Sequence, residues 1–496
     1  MDIQAMQKML MEKGFIFPTA EIYGGLAGFF DYGPLGAELK RAIRENWWTG
    51  WVWGDNDFQI VGMEGSTITH PKTWDASGHL DVFHDPMVEC AKCKGRFRTD
   101  QLLEKKVRES SCDGLSLKEL DALVKKHGVK CPVCGGEVSE SRWFNLMFKT
   151  EVGAVNTLEA YLRPETAQLI FVNFNRIVKT SRVSLPFGIA TIGRVFRNEI
   201  SPRNFVFRCR EFEQMELEFF FNPGEKCASL KKIEDVEVNV IDRKAQEEGG
   251  DGQARKMTLK EVVRHKLTTD WHAYWLGNSW QFVTGLGVDP KKLRLRQHMK
   301  SELSHYSADT WDLEYHYSFG WKELAGIANR TDYDLKQHAK ASGVDLSMPL
   351  SEGGKLYPHV IEPSFGVDRL VFALLEDSYH EENAGTEGRQ VMKFRPGLAP
   401  IQVGVFPLVN KDGLPEKAKK IVSLLKAGFR VFYDASGSVG RRYRRQDAVG
   451  TPFCVTVDGQ TLEDGTVTVR ERDSMKQDRV KVEDLEVWLR RRVFKA

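Results

Sequence analysis

Residues 195–221, with the sequence VFRNEISPRNFVFRCREFEQMELEFFF, constrain the fold of this chain more than any other segment. They form two strand-like runs, rich in Phe and Val, on either side of a polar break. Because side chains alternate along a strand, we expect Arg197 and Glu199 to share one face of the first run. Glu216 and Glu218 likewise share one face of the second run. The opposite face of the second run is apolar and carries Met215, Leu217, Phe219 and Phe221.

The charged face needs a polar partner, because burying that many unpaired charges would be prohibitive. A surface ladder of salt bridges is one interpretation of this segment alone. Two further segments, YLRPETAQ (161–168) and EPSFGVDR (362–369), also combine a carboxylate, a small residue and an arginine beside Gly or Pro. Arginine clamps phosphate through two hydrogen bonds, and a cluster of Glu suits a substrate ammonium group. Together the three segments predict a site for a nucleotide phosphate next to a small amine.

The composition is that of an ordinary globular protein, and the nearly balanced charge excludes a chain that is polybasic overall. Its 496 residues suffice for two to four domains, with 41% hydrophobic and 28% charged residues. The net charge is +2, from 71 Lys and Arg against 69 Asp and Glu, so nucleic-acid binding must come from local patches. Residues 1–14 lack the apolar core of a signal peptide, and no apolar run approaches the ~18–20 residues of a membrane span. We expect a cytoplasmic protein.

Four of the eight cysteines form two C-x-x-C pairs, CAKC and CPVCGG. Two such pairs supply a tetrahedral set of four thiolates, which predicts a closed, structural zinc site rather than a catalytic one. Residues 94–130 separate the pairs by more than a usual zinc ribbon does, so four reduced cysteines without a metal remain an alternative. His84 or Cys112 is a possible replacement for one thiolate. The predicted ligands are Cys90, Cys93, Cys131 and Cys134.

Hydrophobic patterning outlines the remaining organisation. Residues 37–48 (AELKRAIRENWW) have apolar positions at helical spacing and predict an amphipathic helix. Residues 360–376 predict a strand, a glycine turn and a helix that starts near Val367 or Asp368. Residues 243–256 are interpreted as an exposed loop or hinge. Beyond a boundary near 377–399, strand and helix patterns alternate and predict a separate α/β domain.

These motifs resemble those of a known enzyme family. FRNEISPR…FRCREFEQMELEFF is similar to the second signature motif of class II aminoacyl-tRNA synthetases, and GVDRLVFALL to the third. GFIFPTAEIYGG…DYGPLGAELKRAIRENWW, LRPETAQ, GWKELAGIANRTDYDL and GTPFCVTVD narrow the resemblance to the homodimeric glycyl-tRNA synthetases. The matches span nearly the whole chain. The chain departs from the family at Thr19-Ala20, and residues 240–260 match poorly.

The resemblance implies an α/β (α+β) fold, with an antiparallel class II sheet flanked by helices, a cysteine-rich insertion and a C-terminal α/β anticodon-binding domain. It also implies a homodimer in which residues 30–50 form the interface and Trp47 and Trp48 are buried anchors. A variable insertion is expected at about 222–310. The implied domains are 1–84 (first part of the catalytic domain), 85–140 (zinc-type module), 141–390 (remainder of the catalytic domain) and 400–496 (anticodon-binding domain).

The same resemblance implies the nucleotide site. Arg197 would hold the α-phosphate of ATP and the glycine carboxylate. Glu199 would accept from the adenine amino group, and Phe212 would stack on the ring. Arg208 would reach the β- and γ-phosphates, and Arg369 would bind the γ-phosphate. The ATP-binding residues carried over are Arg197, Asn198, Glu199, Phe207, Arg208, Cys209, Arg210, Glu211, Phe212, Glu323, Leu324, Gly366, Val367, Asp368 and Arg369.

For the amino-acid site, the resemblance implies that Glu165, Glu216, Glu362 and Ser364 surround the glycine ammonium. Glu323 would contact Mg²⁺ or the ribose. The glycine-binding residues carried over are Arg98, Glu165, Phe212, Glu213, Gln214, Met215, Glu216, Glu362, Pro363, Ser364, Phe365 and Gly366.

The implied reaction is ATP-dependent ligation of glycine to its tRNA through a glycyl-adenylate, with Mg²⁺ as cofactor, no protein nucleophile and no need for editing. Diadenosine tetraphosphate synthesis is a possible second activity. The local nucleic-acid signal is GRRYRRQD (440–447), where arginines surround a tyrosine, although a solvated turn of charges is an alternative. Its predicted tRNA contacts are Arg441, Arg442, Arg444 and Arg445.

The sequence leaves two other functions open. One is a class II-like ligase that adenylates a small amino acid without charging tRNA, which the full C-terminal domain disfavours. The other is a non-catalytic RNA-binding protein built on the same scaffold. The presence of Arg197, Glu199 and Arg369 disfavours that alternative.

Overall fold

The computed structural model describes residues 2–54, 57–104, 106, 112, 115–155, 157–249, 254–350, 353–382 and 388–494. The helices of this part are α1 (Ile3–Lys13), α2 (Pro34–Trp51), α3 (Pro71–Ala76), α4 (His79–Val82), α5 (Thr99–Glu104), α6 (Leu117–Lys126), α7 (Ala167–Ser181), α8 (Arg243–Gly249), α9 (Leu259–Arg264), α10 (Asp270–Gly285), α11 (Tyr333–Ser342), α12 (Val367–Ser378), α13 (Leu414–Leu425), α14 (Val439–Val449), α15 (Gly459–Asp464) and α16 (Leu485–Val493).

The strands of the N-terminal half are β1 (Ile16–Pro18), β2 (Phe30–Tyr32), β3 (Gln59–Met63), β4 (Ile68–Thr69), β5 (His84–Glu89), β6 (Arg96–Arg98), β7 (Arg142–Asn145), β8 (Phe148–Val152), β9 (Leu158–Leu162), β10 (Phe187–Phe196), β11 (Glu211–Phe221) and β12 (Glu237–Ile241). Those that follow are β13 (Arg255–Thr258), β14 (Leu293–Gln297), β15 (Asp309–Tyr317), β16 (Gly320–Thr331), β17 (Met348–Pro349), β18 (Lys355–Leu356), β19 (His359–Gly366), β20 (Tyr379–Glu382), β21 (Arg389–Met392), β22 (Val403–Pro407), β23 (Val431–Tyr433), β24 (Phe453–Val457), β25 (Thr466–Glu471) and β26 (Gln477–Lys481).

The largest sheet in the described part of the chain has nine strands, in the order β13-β12-β14-β15-β16-β19-β11-β10-β3. Its neighbours pair antiparallel except for β3 with β10 and β12 with β14. Helices α2, α10 and α12 share a hydrophobic core with the apolar side chains of β11. Helix α7 packs on β10 and the far end of β11 in a second cluster. This arrangement confirms the expected antiparallel sheet flanked by helices and leaves the charged face of β11 open to a site.

Residues 222–310, where a variable insertion is expected, contribute to this sheet, and their being an insertion stays a prediction. They supply β12, β13 and β14, together with the buried helix α10. The expected exposed loop at 243–256 also contains structure, because α8 and the start of β13 lie within it, and residues 250–253 fall outside the described part. Alternation explains the error, since polar side chains on the outer positions of these strands obscured their buried partners.

The first run of the opening segment ends earlier than its pattern predicts. Strand β10 stops at Phe196, so Arg197 and Glu199 lie in the connection that follows it and not on a strand face. The amide of Arg197 still donates to the carbonyl of Arg210 at 2.9 Å. The next amide, that of Asn198, donates instead to Leu146 at 2.8 Å and turns the chain out of the sheet.

Two predicted helices are confirmed in position. Helix α12 begins at Val367, directly after Gly366 at its N-cap. Helix α2 buries the predicted apolar face, and Trp47 is fully buried within the single chain. The burial of Trp47 therefore requires no partner, whereas Trp48 is half-buried.

The cysteine-rich segment forms a small module of its own. Strands β6, β5 and β7 make a three-stranded antiparallel sheet, and α5 and α6 pack beside it. Cys112 lies in the apolar core of this module with Val88 and Leu120. Its burial among apolar side chains makes it a packing residue and not a substitute ligand.

The C-terminal residues form a five-stranded sheet in the order β23-β22-β24-β25-β26. Strands β22, β23 and β24 pair parallel to one another through β22, as the predicted strand–helix–strand alternation requires. Helices α13 and α16 bury their apolar faces against this sheet. The domain boundaries 1–84, 85–140, 141–390 and 400–496 stay a prediction. Across the described ranges, no helix combines the length and apolar character needed to cross a membrane.

Candidate active site

A pocket opens between the connection after β10 and the start of α12. Its lining residues are Arg197, Glu199, Val206, Phe207, Arg208, Cys209, Phe212, Gly366, Asp368 and Arg369. The guanidinium of Arg197 lies 5.3 Å from the ring centre of Phe212, and that of Arg369 lies 4.7 Å from the ring of Phe207. Three arginines and two aromatic rings thus line one space. This combination can clamp phosphates and stack on a purine.

Ion pairs hold the polar groups of this pocket. Arg208 Nε donates to Glu199 Oε2 at 2.7 Å, and Arg369 Nη1 lies 2.9 Å from Glu323 Oε2. Glu199 is buried, so its carboxylate is fixed by this contact. Arg210 has a different role, because it donates to the carbonyls of Glu199 at 3.0 Å and Ala27 at 2.8 Å. It anchors the loop to the glycine-rich segment instead of pointing into the pocket.

A cluster of buried carboxylates adjoins this pocket along β11 and β19. Ser364 Oγ donates to Glu216 Oε1 at 2.7 Å, and the amide of Thr166 donates to Glu216 Oε2 at 3.0 Å. Gln214 Nε2 donates to Ser364 Oγ at 3.3 Å. Glu165, Glu216 and Glu362 are each at most 8% exposed. The three sequence segments therefore converge, as predicted, with Glu residues beside the Arg–Phe pocket.

The Arg–Phe pocket and the carboxylate cluster adjoin each other along β11 and β19. The antiparallel register pairs Gln214 with Gly366 and Glu216 with Ser364, so the carboxylate end lies one step along the strands from the nucleotide end. Arg197 Nε also donates at 3.0 Å to the carbonyl of Pro164, the residue before Glu165. The groups suited to phosphate and those suited to a small amine are therefore neighbours.

Arg330 and His79 complete the carboxylate end, and sequence reasoning missed both. Arg330 is fully buried, donates to Glu362 Oε2 at 3.0 Å and lies 3.8 Å from Glu165 Oε1. It also makes two hydrogen bonds to Asp334, at 2.8 and 2.9 Å. His79 Nε2 lies 3.2 Å from Glu165 Oε2. The sequence does offer a signal for Arg330, because this arginine lies within the strand-like segment WKELAGIANRTDYDL. No local pattern marks His79.

Burial and neighbouring charges separate the carboxylates electrostatically. Burial raises the pKa of Glu362 to about 8, with Arg330 opposing this and Glu216 adding to it. Burial, reinforced by Glu165, also raises the pKa of Glu216. Burial alone would raise the pKa of Glu165, but the nearby His79 and Arg330 outweigh it and hold that pKa well below its usual value. His79 and Arg330 thus favour the ionised form of Glu165.

Several carried-over residues point away from the site, and alternation along the strands is the reason. Met215, Phe365, Leu324 and Val367 have side chains in the hydrophobic core, and Pro363 is buried on the same face of β19 as Phe365. Glu213, on β11, lies on the same face of the sheet. Its carboxylate is 3.4 Å from Lys40 Nζ and 3.0 Å from Arg44 Nη1. The side chains of these residues are not ligands for glycine or ATP, although each adjoins a residue that lines the site.

Two acidic residues carried over to the nucleotide site have partners elsewhere. The carboxylate of Asp368 accepts from the hydroxyl of Tyr32 at 2.5 Å, from Lys40 at 2.9 Å and from the amide of Glu213 at 2.7 Å. It therefore ties α12 to α2 and β11 at the edge of the pocket. Glu211 pairs with Arg194 at 2.5 Å beside a neighbouring cavity. Both carboxylates are therefore engaged by protein partners, and their contact with ATP stays a prediction.

Arg98 is connected to the Arg–Phe pocket through Asp85, and its predicted contact with the substrate stays a prediction. Its guanidinium donates to Asp85 Oδ2 at 2.7 Å and to Asp100 Oδ1 at 3.1 Å. Asp85 Oδ2 in turn lies 3.9 Å from Arg208 Nη2. A carboxylate from the cysteine module therefore faces the arginine that pairs with Glu199.

The four predicted thiolates are close together. The sulfur atoms of Cys90 and Cys134 are 3.5 Å apart, and those of Cys93 and Cys131 are 3.6 Å apart. Four thiolates at about 2.3 Å from one tetrahedral ion are about 3.8 Å from each other. Gly135, with φ of 69°, allows the tight turn after the second pair. The donor set and its spacing fit zinc.

Comparison with known proteins identifies the scaffold that carries this site. Residues 148–378 match the family model "tRNA synthetase class II core domain (G, H, P, S and T)", and residues 402–492 match the model "Anticodon binding domain". Glycine–tRNA ligase of Geobacillus kaustophilus is 45% identical over 491 residues, covering 97% of this chain and 96% of that protein. The same identity and coverage hold for glycine–tRNA ligase of Clostridium acetobutylicum. The chain belongs to the glycine–tRNA ligase family.

A third member of the family, from Caldanaerobacter subterraneus subsp. tengcongensis, is 45% identical over 486 residues, which is 96% of this chain and 95% of that protein. The matches cover the site and the C-terminal sheet alike. The chain is therefore a class II aminoacyl-tRNA synthetase with a C-terminal anticodon-binding domain, and the predicted resemblance is confirmed at this level.

Within the anticodon-binding domain of this family member, the arginines of GRRYRRQD lie on helix α14 rather than in a turn. Arg441 and Arg444 are exposed. Arg442 is only 2% exposed and donates to the backbone carbonyls of Pro407 and Gly437, so its predicted tRNA contact is wrong. Arg445 is exposed but pairs with Asp434 at 2.6 Å. Helical periodicity, which places Arg442 on the inner face, accounts for the difference.

Proposed function

We propose that this protein joins glycine to its cognate tRNA through a glycyl-adenylate. The observation that carries this proposal is the adjacency of the Arg197–Phe212 pocket to the carboxylate cluster around Glu216 and Glu362. A nucleotide bound at one end presents its α-phosphate toward an amino acid bound at the other. The family's name indicates the same pair of substrates for its curated members.

In the first step, the glycine carboxylate attacks the α-phosphorus of ATP, a new P–O bond forms, and the bond to pyrophosphate breaks. No protein nucleophile is needed, because the barrier is lowered by positioning and by neutralising charge. Arg197 lines the pocket, donates to the carbonyl of Pro164 beside Glu165, and is proposed to bind the α-phosphate. Arg208 and Arg369 are proposed to bind the phosphates that leave.

Mg²⁺ is the expected cofactor of this step, since it prefers oxygen ligands from carboxylates and phosphates. Glu323, beside Arg369 at the phosphate end, offers a carboxylate of the required kind. When bound, the ion neutralises negative charge on the phosphates of ATP. Arg369 shares this role through its fixed guanidinium.

Selection of glycine follows from the walls of the carboxylate end. Glu216 is fixed by Ser364 and Thr166, and Glu362 is fixed by Arg330, so neither can move aside for a larger substrate. Every competing amino acid is larger than glycine, and a rigid wall rejects it by overlap. We therefore propose no separate editing reaction.

In the second step, a hydroxyl of the terminal tRNA adenosine attacks the glycyl carbonyl, an ester forms, and AMP leaves. The C-terminal domain is proposed to hold the anticodon end through the exposed Arg441 and Arg444. A homodimer with residues 30–50 at its interface and one structural zinc in the cysteine module are further parts of the proposal. Diadenosine tetraphosphate synthesis stays a prediction from the resemblance.

Exchange of pyrophosphate into ATP, measured with glycine, alanine and serine, tests the first step, and charging of bulk tRNA tests the second. We expect exchange and charging with glycine alone. Exchange with glycine but no transfer to tRNA would favour an adenylating ligase of another kind. Absence of exchange with all three amino acids would contradict the proposal.

A further inference from the structure

Glu218 is the most deeply buried carboxylate of the site and has no role in the mechanism above. Its side chain is fully buried, and neither carboxylate oxygen has a hydrogen-bond partner within the described part of the chain. An oxygen of Glu218, one of Glu216 and one of Glu362 all lie within 4.8 Å of one another. Buried carboxylates without partners are costly, so this arrangement requires a physical explanation.

The strand register forces Glu218 against Glu362. In the ladder between β11 and β19, Glu216 is opposite Ser364, and Phe219 is opposite Ile361. The same register places Glu218 directly opposite Glu362. Like charges directly opposite each other on two strands are destabilising, and the cost is greater where water is excluded.

The surrounding charges do not compensate for a full set of ionised carboxylates. Arg330 is a buried cation next to them, and its guanidinium is already paired with Asp334 and Glu362. His79 Nε2 lies 3.2 Å from Glu165, and the buried guanidinium of Arg163, which acts on Glu216, donates to the carbonyls of Arg194 and Gly65. A glycine ammonium would add one further positive charge. The acidic groups around this space are Glu165, Glu216, Glu218, Asp334 and Glu362.

We propose that Glu218 is a structural carboxyl beside the amino-acid site that stays neutral by keeping its proton, so that Glu216 and Glu362 can carry the charge that meets the glycine ammonium. This inference rests on the proposed function of the site. A protonated carboxyl removes the repulsion across the ladder and fills the space beneath the substrate. Burial raises the pKa of Glu218 well above its usual value, and the charge of Glu362 raises it further, which agrees with a retained proton.

A divalent cation held by the three carboxylates is the alternative way to balance the charge. Such an ion would require all three groups to be ionised, and it would occupy the space that the substrate ammonium needs. The two explanations make opposite predictions for a neutral isostere, because glutamine has the shape of protonated glutamate but cannot supply a carboxylate ligand.

The test compares Glu218→Gln with Glu362→Gln in glycine-dependent pyrophosphate exchange. We expect Glu218→Gln to keep the KM for glycine and kcat within about threefold of the wild type, since it replaces one neutral group by another. Glu362→Gln should raise the KM for glycine by about 30-fold or more with the KM for ATP unchanged, because it removes a charge that contacts the ammonium. An equal rise of the KM for glycine in both variants would overturn the proposal. Glu218→Met, which is neutral and of similar volume, provides a second variant if the glutamine variant does not fold.

Infrared spectroscopy of the glycine-saturated protein supplies a readout that does not depend on turnover. We expect the C=O band of one buried neutral carboxyl at pH 7, and we expect Glu218→Gln to lose it. Absence of this band from the wild type, or a stoichiometric divalent ion that Glu218→Gln loses, would contradict the proposal. If the wild type failed to exchange pyrophosphate, the proposed function would be wrong, while the infrared band would still decide the state of Glu218.

Discussion

Asp85 accepts a hydrogen bond from Arg98 at 2.7 Å, and the same oxygen lies 3.9 Å from Arg208. Asp85 and Arg98 belong to strands β5 and β6, which lead to the first cysteine pair, whereas Arg208 lines the nucleotide pocket. The cysteine module is therefore joined to the nucleotide site by one buried carboxylate. Its integrity should influence ATP binding although its sulfur atoms lie outside the pocket.

Replacing Asp85 by Asn should weaken ATP binding selectively. The change removes the charge that faces Arg98 and Arg208, and leaves Arg98 with Asp100 as its carboxylate partner. We expect the KM for ATP to rise by about tenfold and the KM for glycine to change little, as measured by pyrophosphate exchange. Glu89→Gln, on the same strand but partly exposed, is the matched control and should behave like the wild type.

Removal of metal should affect both the module and ATP binding. Elemental analysis is expected to give one zinc per chain, and Cys131→Ala should abolish it because three thiolates hold zinc poorly. Removal of the zinc by a chelator should lower the midpoint of thermal unfolding and raise the KM for ATP. Cys112→Ala serves as the control, since this buried cysteine of the same module is outside the four-sulfur cluster and should leave the zinc content unchanged.

Substitutions of two arginines of helix α14 should have different effects: one should weaken tRNA binding, and the other should lower the stability of the domain. Arg444→Ala should reduce charging, leave pyrophosphate exchange intact and lower the salt dependence of tRNA binding, with a slope change of about 0.7–0.9 per lost phosphate contact. Arg442→Ala should instead destabilise the C-terminal domain by about 1–3 kcal/mol for each carbonyl left unpaired. Parallel measurement of tRNA affinity and thermal unfolding checks both outcomes. Equal loss of tRNA affinity without destabilisation would contradict the burial of Arg442.

The raised pKa of Glu362 predicts a pH dependence for glycine binding. Burial raises that pKa to about 8, so Glu362 is largely protonated at pH 7 and must lose its proton to meet an ammonium group. Glycine affinity should therefore increase from pH 6.5 to about pH 8.5, with release of protons, which calorimetry in buffers of different ionisation enthalpy detects.

The raised pKa of Glu362 has the opposite effect on folding, because stability falls as the pH rises. A folded pKa above the unfolded value of about 4.3 stabilises the protein at low pH, and this contribution is lost as the pH rises toward 8. Glu362→Gln should abolish both the proton release and this part of the pH dependence of stability. Proton release that persists in this variant would assign it to another group.

Local sequence was sufficient for features that depend on periodicity. Spacing alone predicted the charged and apolar faces of β11, a helix start near Val367 or Asp368, and the four-cysteine cluster. Arg330 and His79 were missed because their proximity to Glu165 depends on how distant strands and helices pack.

Errors arose where motif residues were carried over as continuous ranges. Met215 and Phe365 followed Gln214 and Ser364 into the predicted site, although alternation turns them into the core. Arg442 was grouped with Arg441 although one helical position separates a buried from an exposed side chain. Such errors are avoidable by applying strand and helix periodicity within each motif.

Pyrophosphate exchange by Arg197→Ala, compared with Arg194→Ala, tests the account most directly. Arg197 stands between the nucleotide and carboxylate ends, whereas Arg194 is exposed and pairs with Glu211 on the other side of the sheet. We expect Arg197→Ala to lose glycine-dependent exchange by about 100-fold or more and Arg194→Ala to retain nearly all of it. Wild-type exchange by Arg197→Ala would contradict the single site on which the proposed function depends.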